Sequence, residues 1–461
     1  MERKQASIHE ILEKQRVFFG THRTKDVEFR IEQLKGLKAA ILAYEGKITK
    51  ALYNDLHRSE AEAYSTEIGL CLREISYNTK HLKSWAKPLK VRSPIFFPLS
   101  KSFVLYEPYG IVFIIAPWNY PFQLIITPLI GAIAAGNCVV LKPSELSPST
   151  AQVIQDMIDE YFQEDYVRVV QGDADVAQKL LEQRFDYILY TGSGFVGKIV
   201  MRAAAEHLTP LTLELGGKNP CIVDNDIDLE KTARRITWGK LVNIGQTCVA
   251  PDYLLVHKGV KENLVSRIGE NVLEFYGDNI KGSSDYGRVI NEKHFNRLSE
   301  YLEEGDIIFG ADTDPSELYI APTLIENMPV DAKVMQEEIF GPILPIIEYS
   351  DITEAIAFVN KRPKPLALYI FSNNKNIQRR ILKETSSGGA CINDVVIHVT
   401  SLTLPFGGVG KSGFGRYHGK ASFELFSNKR SVMKQTGLFD LKTRFPPSTE
   451  AGFKMVKRLL K

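Results

Sequence analysis

The chain has no paired cysteines and no clustered metal ligands. Its five cysteines (Cys71, Cys138, Cys221, Cys248 and Cys391) are an odd number with no C-x-x-C spacing, and its nine histidines show no ligand spacing. A disulfide framework and a structural zinc are thereby excluded as expectations, and a reducing, cytoplasmic setting with one thiol free for chemistry fits better. There is no excess of one charge: 57 Lys+Arg stand against 55 Asp+Glu. A nucleic-acid partner, which calls for a basic excess or stripe, is not expected. Long apolar runs are missing as well. The best candidate, Leu124 to Gly136, is 13 residues long and interrupted by Pro128, where a membrane span needs about 20. It reads as a buried helix, and no integral membrane span is expected. The opening Met1-Glu-Arg-Lys-Gln-Ala is charged with no apolar stretch behind it, so no secretory signal is read there.

What is present is ordinary globular composition, 44% hydrophobic and 24% charged, over 461 residues. Single cores stop growing near about 250–300 residues, so two or three domains are expected. The first stretch reads as helical, with Ile8, Ile11, Leu12 and Val17, then Ile31, Leu34, Leu37 and Leu42, recurring at helix spacing. Lys87 to Pro108, which includes Ser93-Pro-Ile-Phe-Phe-Pro, looks like an extended hairpin leaving the main body. From Gly110 short apolar strands alternate with helices, beginning with Ile111–Ala116 and Cys138–Lys142. Such alternation implies α/β architecture, a parallel sheet covered by helices on both faces. A second α/β series begins near Pro220, with Asp228 placed to cap the helix Leu229–Val242. The tail from Gln435 is polar with scattered apolar residues and reads as peripheral.

Several segments carry potential chemistry, each with a bland alternative. Gly192-Ser-Gly-Phe-Val-Gly197 follows an apolar strand and precedes an amphipathic helix, the setting in which glycines let backbone approach a phosphate. A tight strand-to-helix turn is an equal reading of the same residues. Glu214, about 20 residues further on, sits where such a fold would place a ribose ligand. Lys142-Pro-Ser-Glu145 closes an apolar strand and is, alone, more often just a turn. Cys138, Cys221, Cys391 and Cys71 have surroundings that suit small buried hydrophobes. Cys248 differs: Gly245-Gln-Thr precede it in a loop, which suits a thiol that must be reached. Pro117-Trp-Asn-Tyr-Pro121 is either a proline-braced turn or a loop presenting the Asn119 amide to a developing oxyanion.

Taken together these segments resemble the motif series of the aldehyde dehydrogenase superfamily. Trp118-Asn-Tyr-Pro, Lys142-Pro-Ser-Glu, Leu213-Glu-Leu-Gly-Gly-Lys218, Gly245-Gln-Thr-Cys, Glu337-Glu-Ile-Phe-Gly-Pro342 and Leu404-Pro-Phe-Gly-Gly-Val-Gly-Lys-Ser-Gly413 occur in one order, and the likeness runs from about residue 10 to residue 434. Lys364-Pro-Leu-Ala-Leu-Tyr-Ile-Phe-Ser, Ile392-Asn-Asp-Val-Val-Ile-His and Tyr417-His-Gly-Lys-Ala-Ser-Phe resemble the class 3 branch, which acts on fatty and aromatic aldehydes.

The resemblance implies a Rossmann-like cofactor domain (1–86 and 109–215), an α/β catalytic domain (216–400), and a bridging element for oligomerisation (87–108 and 401–434), with 435–461 a peripheral tail. It also implies a homodimer. Cys248 resembles the nucleophile that adds to the aldehyde, giving a thiohemiacetal and then a thioester. Asn119 and the Cys248 backbone N–H would hold the oxyanion. Glu214 resembles the base that activates the hydrolytic water, so its ribose-like spacing is a coincidence. Lys142 and Glu338 take the ribose role, Phe340 lies beside the nicotinamide, and Gly192, Ser193, Gly197, Glu145 and Leu215 complete the cofactor set. NAD is expected, because Glu145 would repel a 2′-phosphate, with NADP as the alternative, because class 3 relatives with this glutamate often accept it; Gly192-Ser-Gly-Phe195 departs from the sequence many relatives have there. Trp118, Tyr120, Trp238 and either His398 or His418 are candidates for an apolar substrate entrance. The rival readings are an acylating dehydrogenase that passes the thioester to coenzyme A or phosphate, and a silent dinucleotide-binding protein. Against an apolar membrane anchor, Phe453-Lys-Met-Val-Lys-Arg-Leu-Leu-Lys461 is short and basic.

Overall fold

The computed structural model describes residues 7–94, 97, 99–329, 331–437, 440 and 444–460. The opening Met1–Ala6, Ile95, Phe96 and Pro98 of the hairpin stretch, and Lys461 of the tail lie outside the described residues. The chain enters through helices Ile8–Gly20, Val27–Leu56 and Gly69–Trp85. Ser7 opens the first with a capping box to Glu10, and Asp26 caps the second. Their buried stripes run through Ile11, Leu12 and Phe18, and through Leu34, Leu37 and Ile41. Val17 and Leu42, expected on those stripes, are instead 71% and 51% exposed. Each is one position off the buried face of its helix.

Strands β1 (Leu89–Val91) and β2 (Lys101–Pro108) form an antiparallel hairpin. β3 (Ile111–Ile115), β4 (Cys138–Lys142), β5 (Val167–Val169), β6 (Tyr187–Gly192) and β7 (Leu211–Leu215) follow. β8 (Pro220–Val223), β9 (Tyr253–His257) and β10 (Asp306–Phe309) precede a small ribbon of β11 (Thr313–Asp314) and β12 (Tyr319–Ile320). The remaining strands are β13 (Thr323–Glu326), β14 (Ile343–Tyr349), β15 (Ala367–Phe371), β16 (Gly389–Ile392), β17 (Gly413–Phe414) and β18 (Ser427–Lys434).

Two α/β sheets result. The first has the order β17-β7-β6-β3-β4-β5 and is parallel from β7 to β5, and the second has the order β10-β13-β14-β9-β8-β15-β16. β3 and β4 are buried at every position, as strands covered on both faces must be. Between them the helix Gln123–Ala135 is also buried all round, so the run read as too short for a membrane is a core helix. Cys391 departs from expectation: it is partly exposed, because β16 is the edge of its sheet, whereas Cys71, Cys138 and Cys221 are buried. The segment after Leu404 returns to the first half of the chain twice. β17 pairs with β7, setting Gly413 opposite Glu214, and β18 pairs with β2 from Ser427 opposite Pro108 to Lys434 opposite Lys101. The tail carries a helix, Glu450–Leu459, with Phe453 and Met455 exposed. Among the described residues no helix is long and apolar enough to cross a membrane.

Candidate active site

The loops that close β3, β6, β7 and the helix Leu229–Leu241 meet at the carboxyl edge of the first sheet, where ligands gather in parallel α/β folds. Their side chains line a cleft of about 560 Å³. Trp118, Asn119, Gly192, Ser193, Glu214, Leu215, Cys248, Glu338 and Phe340 all face it. Nine of the residues singled out in the sequence, separated by up to 222 positions, thus share one wall. Phe195 of the Gly192-Ser-Gly-Phe stretch lines it too, as do His294 and Arg297, which no motif marks.

The Cys248 loop is held in a costly shape. Asn243 and Ile244 take left-handed φ values of 50° and 48°, each worth on the order of 1–3 kcal/mol of strain in a non-glycine residue. Gly245 follows at φ 79°, and a Cβ there would lie 2.2 Å from the Gly341 carbonyl oxygen. This explains the glycine. The turn is tied down by Asn219, whose amide donates to the carbonyls of Cys248 (2.8 Å) and Ala250 (3.0 Å). The Asn119 amide donates to the Gln246 carbonyl at 3.0 Å, which leaves its second N–H for the cleft. Tyr120 and Thr247 join their hydroxyls at 2.6 Å.

A second, smaller cavity of about 160 Å³ borders the same cysteine. Cys248, Leu124, Phe406 and Tyr417 line both cavities. Tyr120, Trp238 and His418 line the smaller one, whereas Trp118, grouped with them in the sequence, stands on the larger cleft with its ring edge-on to Phe340. His398 packs on Tyr369 and Phe406 and is not among the residues lining either cavity. Burial pushes the His418 imidazole down to about 4, so this cavity is uncharged at neutral pH.

Burial dominates the electrostatics of the larger cleft. It pushes the Cys248 thiol up to about 12, with the carboxylates of Glu338 and Glu214 adding to the shift. The backbone N–H groups of Cys248 and Val249 act the other way. Burial lifts the Glu214 carboxyl well above the usual range, opposed only by the Arg416 guanidinium, and neither of its oxygens has a hydrogen-bond partner in the protein. Glu338 is pushed up to about 8 by burial and by Asp252, while the Gly217 N–H and the cations Lys218 and Arg297 hold it down.

The fold and the sequence agree on one lineage. The Aldehyde dehydrogenase family model matches residues 1–432. The chain belongs to the aldehyde dehydrogenase family. It is 49% identical over 448 residues to the 4,4'-diaponeurosporen-aldehyde dehydrogenase of Staphylococcus aureus (strain NCTC 8325 / PS 47), covering 97% of each chain. It is 47% identical over 445 residues to the dimeric NADP-preferring aldehyde dehydrogenase of Canis lupus familiaris, covering 96% of this chain and 98% of that one. A solved structure, the substrate-bound state of Staphylococcus aureus AldH, superposes with a TM-score of 0.97 at 48% identity, over 99% of this chain and 100% of that one. The protein is therefore an oxidoreductase that oxidises aldehydes with NAD or NADP.

An aldehyde dehydrogenase needs a dinucleotide bed, and the cleft has its parts. The helix Gly194–Glu206 begins at the cleft with Ser193 as its cap, and a helix N-terminus favours a pyrophosphate. A Cβ at Gly192 would lie 2.3 Å from the Tyr190 hydroxyl oxygen and one at Gly216 2.1 Å from a Glu338 oxygen, so backbone must lie bare at both. Glu338 keeps one buried oxygen without a protein partner, as an acceptor for sugar hydroxyls would. Lys142, at the end of β4, is buried and paired with the half-exposed Glu145 at 2.6 Å. Neither lines the cleft itself. Gly197 does not line it either. A Cβ there would lie 3.0 Å from the Leu215 side chain, so its place is the contact between helix and sheet.

Proposed function

We propose that Cys248 is the nucleophile, Asn119 the oxyanion donor and Glu214 the general base of an NAD(P)-dependent aldehyde oxidation. The observation that carries this reading is the convergence of these three side chains on one cleft beside a helix N-terminus. The Cys248 thiol gives its proton to water as its sulfur adds to the aldehyde carbon; a C–S bond forms, and the carbonyl electrons move to oxygen. The free N–H of the Asn119 amide and the Cys248 backbone N–H hold that oxyanion. Oxidation of the adduct to a thioester is the chemistry that bound NAD or NADP supplies. Glu214 then takes a proton from water as the water oxygen attacks the thioester carbon. The C–S bond breaks, the sulfur leaves as thiolate, and the free acid departs. Burial that raises the Glu214 carboxyl makes its ionised form a strong enough base for this transfer.

Lys142 and Glu338 would hold ribose hydroxyls, Gly192 and Ser193 the pyrophosphate, and Phe340 the nicotinamide side. NAD is the preferred dinucleotide and NADP is accepted, since Lys142 offsets the charge of Glu145. Residues 1–86 with 109–215 form the dinucleotide-binding part, 216–400 the catalytic part, and 87–108 with 401–434 a bridging part through which two copies pair. The β2–β18 pairing and a relative named as dimeric support that assignment. The protein acts in a reducing, cytoplasmic setting, supported by five free cysteines.

The substrate is an aldehyde with an apolar body, aromatic or medium- to long-chain. The smaller cavity supports this: its 160 Å³ is close to the 150 Å³ void that holds benzene. The test is a series from acetaldehyde to dodecanal, with benzaldehyde, ranked by kcat/KM from reduced-nicotinamide absorbance. A rise with apolar length and free acid as product is expected. A preference for acetaldehyde, or acyl-CoA in place of acid, would overturn the reading.

A further inference from the structure

A buried ion pair that no motif announces lies behind the Asn119 loop. Arg58 follows the helix Val27–Leu56 and is 2% exposed; Glu67 is fully buried. Glu67 sits in a wide turn, Tyr64–Ile68, closed by a bond from the Gly69 N–H to the Tyr64 carbonyl. Such π-type turns cost helix regularity and recur at functional sites. One guanidinium arm pairs with a Glu67 oxygen. The other, Nη2, donates to the Asn119 carbonyl at 2.7 Å. The second Glu67 oxygen accepts from the backbone N–H groups of Phe122 (2.8 Å) and Gln123 (2.9 Å). The pair thus grips the Asn119 loop on both sides, and the Arg58 plane lies 4.7 Å from the Tyr120 ring.

The same carbonyl of Asn119 takes a second donor, the Asn243 amide, at 2.9 Å. That amide also donates to the Gln246 carbonyl at 3.0 Å, the acceptor that orients the Asn119 side chain. Asn243 in turn has its own N–H held by Glu62, at 2.6 Å, and Glu62 faces Arg58 at 3.8 Å. One cluster of charge from the N-terminal helices therefore fixes the Asn119 loop of the first sheet against the Cys248 loop of the second half. Oxyanion donors lose their effect when displaced by a fraction of an ångström.

We propose that the Arg58–Glu67 pair is a positioning clamp for aldehyde oxidation, setting the Asn119 amide against Cys248 without touching substrate or dinucleotide. The proposal rests on the oxyanion role given to Asn119 above. Its test is a double-mutant cycle of Arg58→Met and Asn119→Ala in the full chain, with hexanal and saturating NAD. Each single variant is expected to lower kcat/KM for hexanal, Arg58→Met about 30-fold and Asn119→Ala about 10²–10³-fold, with the Kd for NAD unchanged. The double variant should be no worse than Asn119→Ala alone, because residues acting through one group are not additive. Arg58→Lys keeps the pair with Glu67 but lacks the fork that reaches two acceptors, so it should recover part of the loss.

Three results overturn the clamp: multiplicative losses in the double variant, an Arg58→Met effect confined to NAD affinity, or full activity in Arg58→Met while Asn119→Ala is crippled. Full activity in Asn119→Ala would instead sink the oxyanion assignment itself. If Arg58→Met does not fold, the cycle is run with Arg58→Lys. A several-fold fall that disappears in the Asn119→Ala background supports the clamp, and an unchanged kcat/KM overturns it.

Discussion

The two cavities that Cys248 lines are both largely apolar and differ in charge. The larger is walled by a helix N-terminus, bare glycine backbone, the buried Glu214 and half-buried Glu338 carboxyls, Arg297 and His294. The smaller is walled by apolar side chains such as Leu124, Trp238 and Val249, by uncharged polar ones such as Gln123, Thr247 and Tyr120, and by the neutral His418. The first can supply charge and proton transfer; the second can supply shape, desolvation and neutral hydrogen bonds. Cys248 lines both, so under the proposed mechanism specificity and chemistry fall to different cavities. Changes on one side should leave the other's observable nearly untouched, and each prediction below is a way of breaking that separation.

The largest effect is expected at the partition. Cys248→Ala should lower turnover by at least about 10⁴-fold, since no other group replaces a lost nucleophile, while the Kd for NAD measured by fluorescence titration stays within about twofold. An equal loss of NAD affinity would mean that the sulfur is part of the dinucleotide bed. Next comes Glu214→Gln, on the polar side only. Rapid mixing with hexanal should show a first burst of reduced nicotinamide, followed by steady turnover about 10²–10³-fold lower, the usual worth of a general base. Absence of the burst, with hexanal and NAD still bound, would remove deacylation from Glu214.

Much of this partition was legible in the sequence, but only where a motif marks backbone or a reactive atom. Gly245-Gln-Thr-Cys248 announces its loop because the glycine is forced by φ 79° and by the Gly341 carbonyl. The alternation from Ile111 onward gives the parallel sheet because doubly covered strands must be apolar at every position. Arg58, Glu67 and Asn219 leave no such mark. Each is a polar residue buried by long-range packing, its partners 9 to 148 positions away, and periodicity cannot tell a buried charge on a helix from a solvated one. Gly197 keeps the packing place of its motif: a Cβ there would lie 3.0 Å from the Leu215 side chain, so the glycine lets the helix approach the strand. Trp118 was grouped with Tyr120 by adjacency, yet neighbouring loop residues can point into different cavities, as these two do.

A smaller effect is expected from the apolar side. Trp238 is 42% exposed at the wall of the smaller cavity, which suits a side chain at its mouth. Trp238→Ala should raise kcat/KM for dodecanal relative to hexanal by about tenfold, the scale on which apolar pockets discriminate chain length. The NAD Kd and the burst rate with benzaldehyde should hold. Equal changes for every aldehyde would mean that Trp238 shapes the sulfur's loop and not the substrate's path.

The smallest and most diagnostic test concerns Glu338, which the polar side places within electrostatic reach of the thiol. In the free enzyme its carboxyl sits at about 8 and the Cys248 thiol at about 12. Below pH 7 Glu338 is therefore protonated and neutral, and Glu338→Gln should leave the iodoacetamide rate of Cys248 unchanged. Above pH 8 the wild-type carboxylate is charged and opposes thiolate formation. The variant should then react faster by less than about tenfold, one pKa unit's worth, since burial, the larger cause, remains. Stability follows the same sign. A carboxyl raised from 4.5 to about 8 binds its proton more tightly in the folded state, so its contribution is whole below pH 4.5 and is lost as pH rises through 8. Glu338→Gln should thus lose less Tm than wild type between pH 5 and pH 9, and parallel Tm curves would show that the carboxyl is not desolvated as its burial requires.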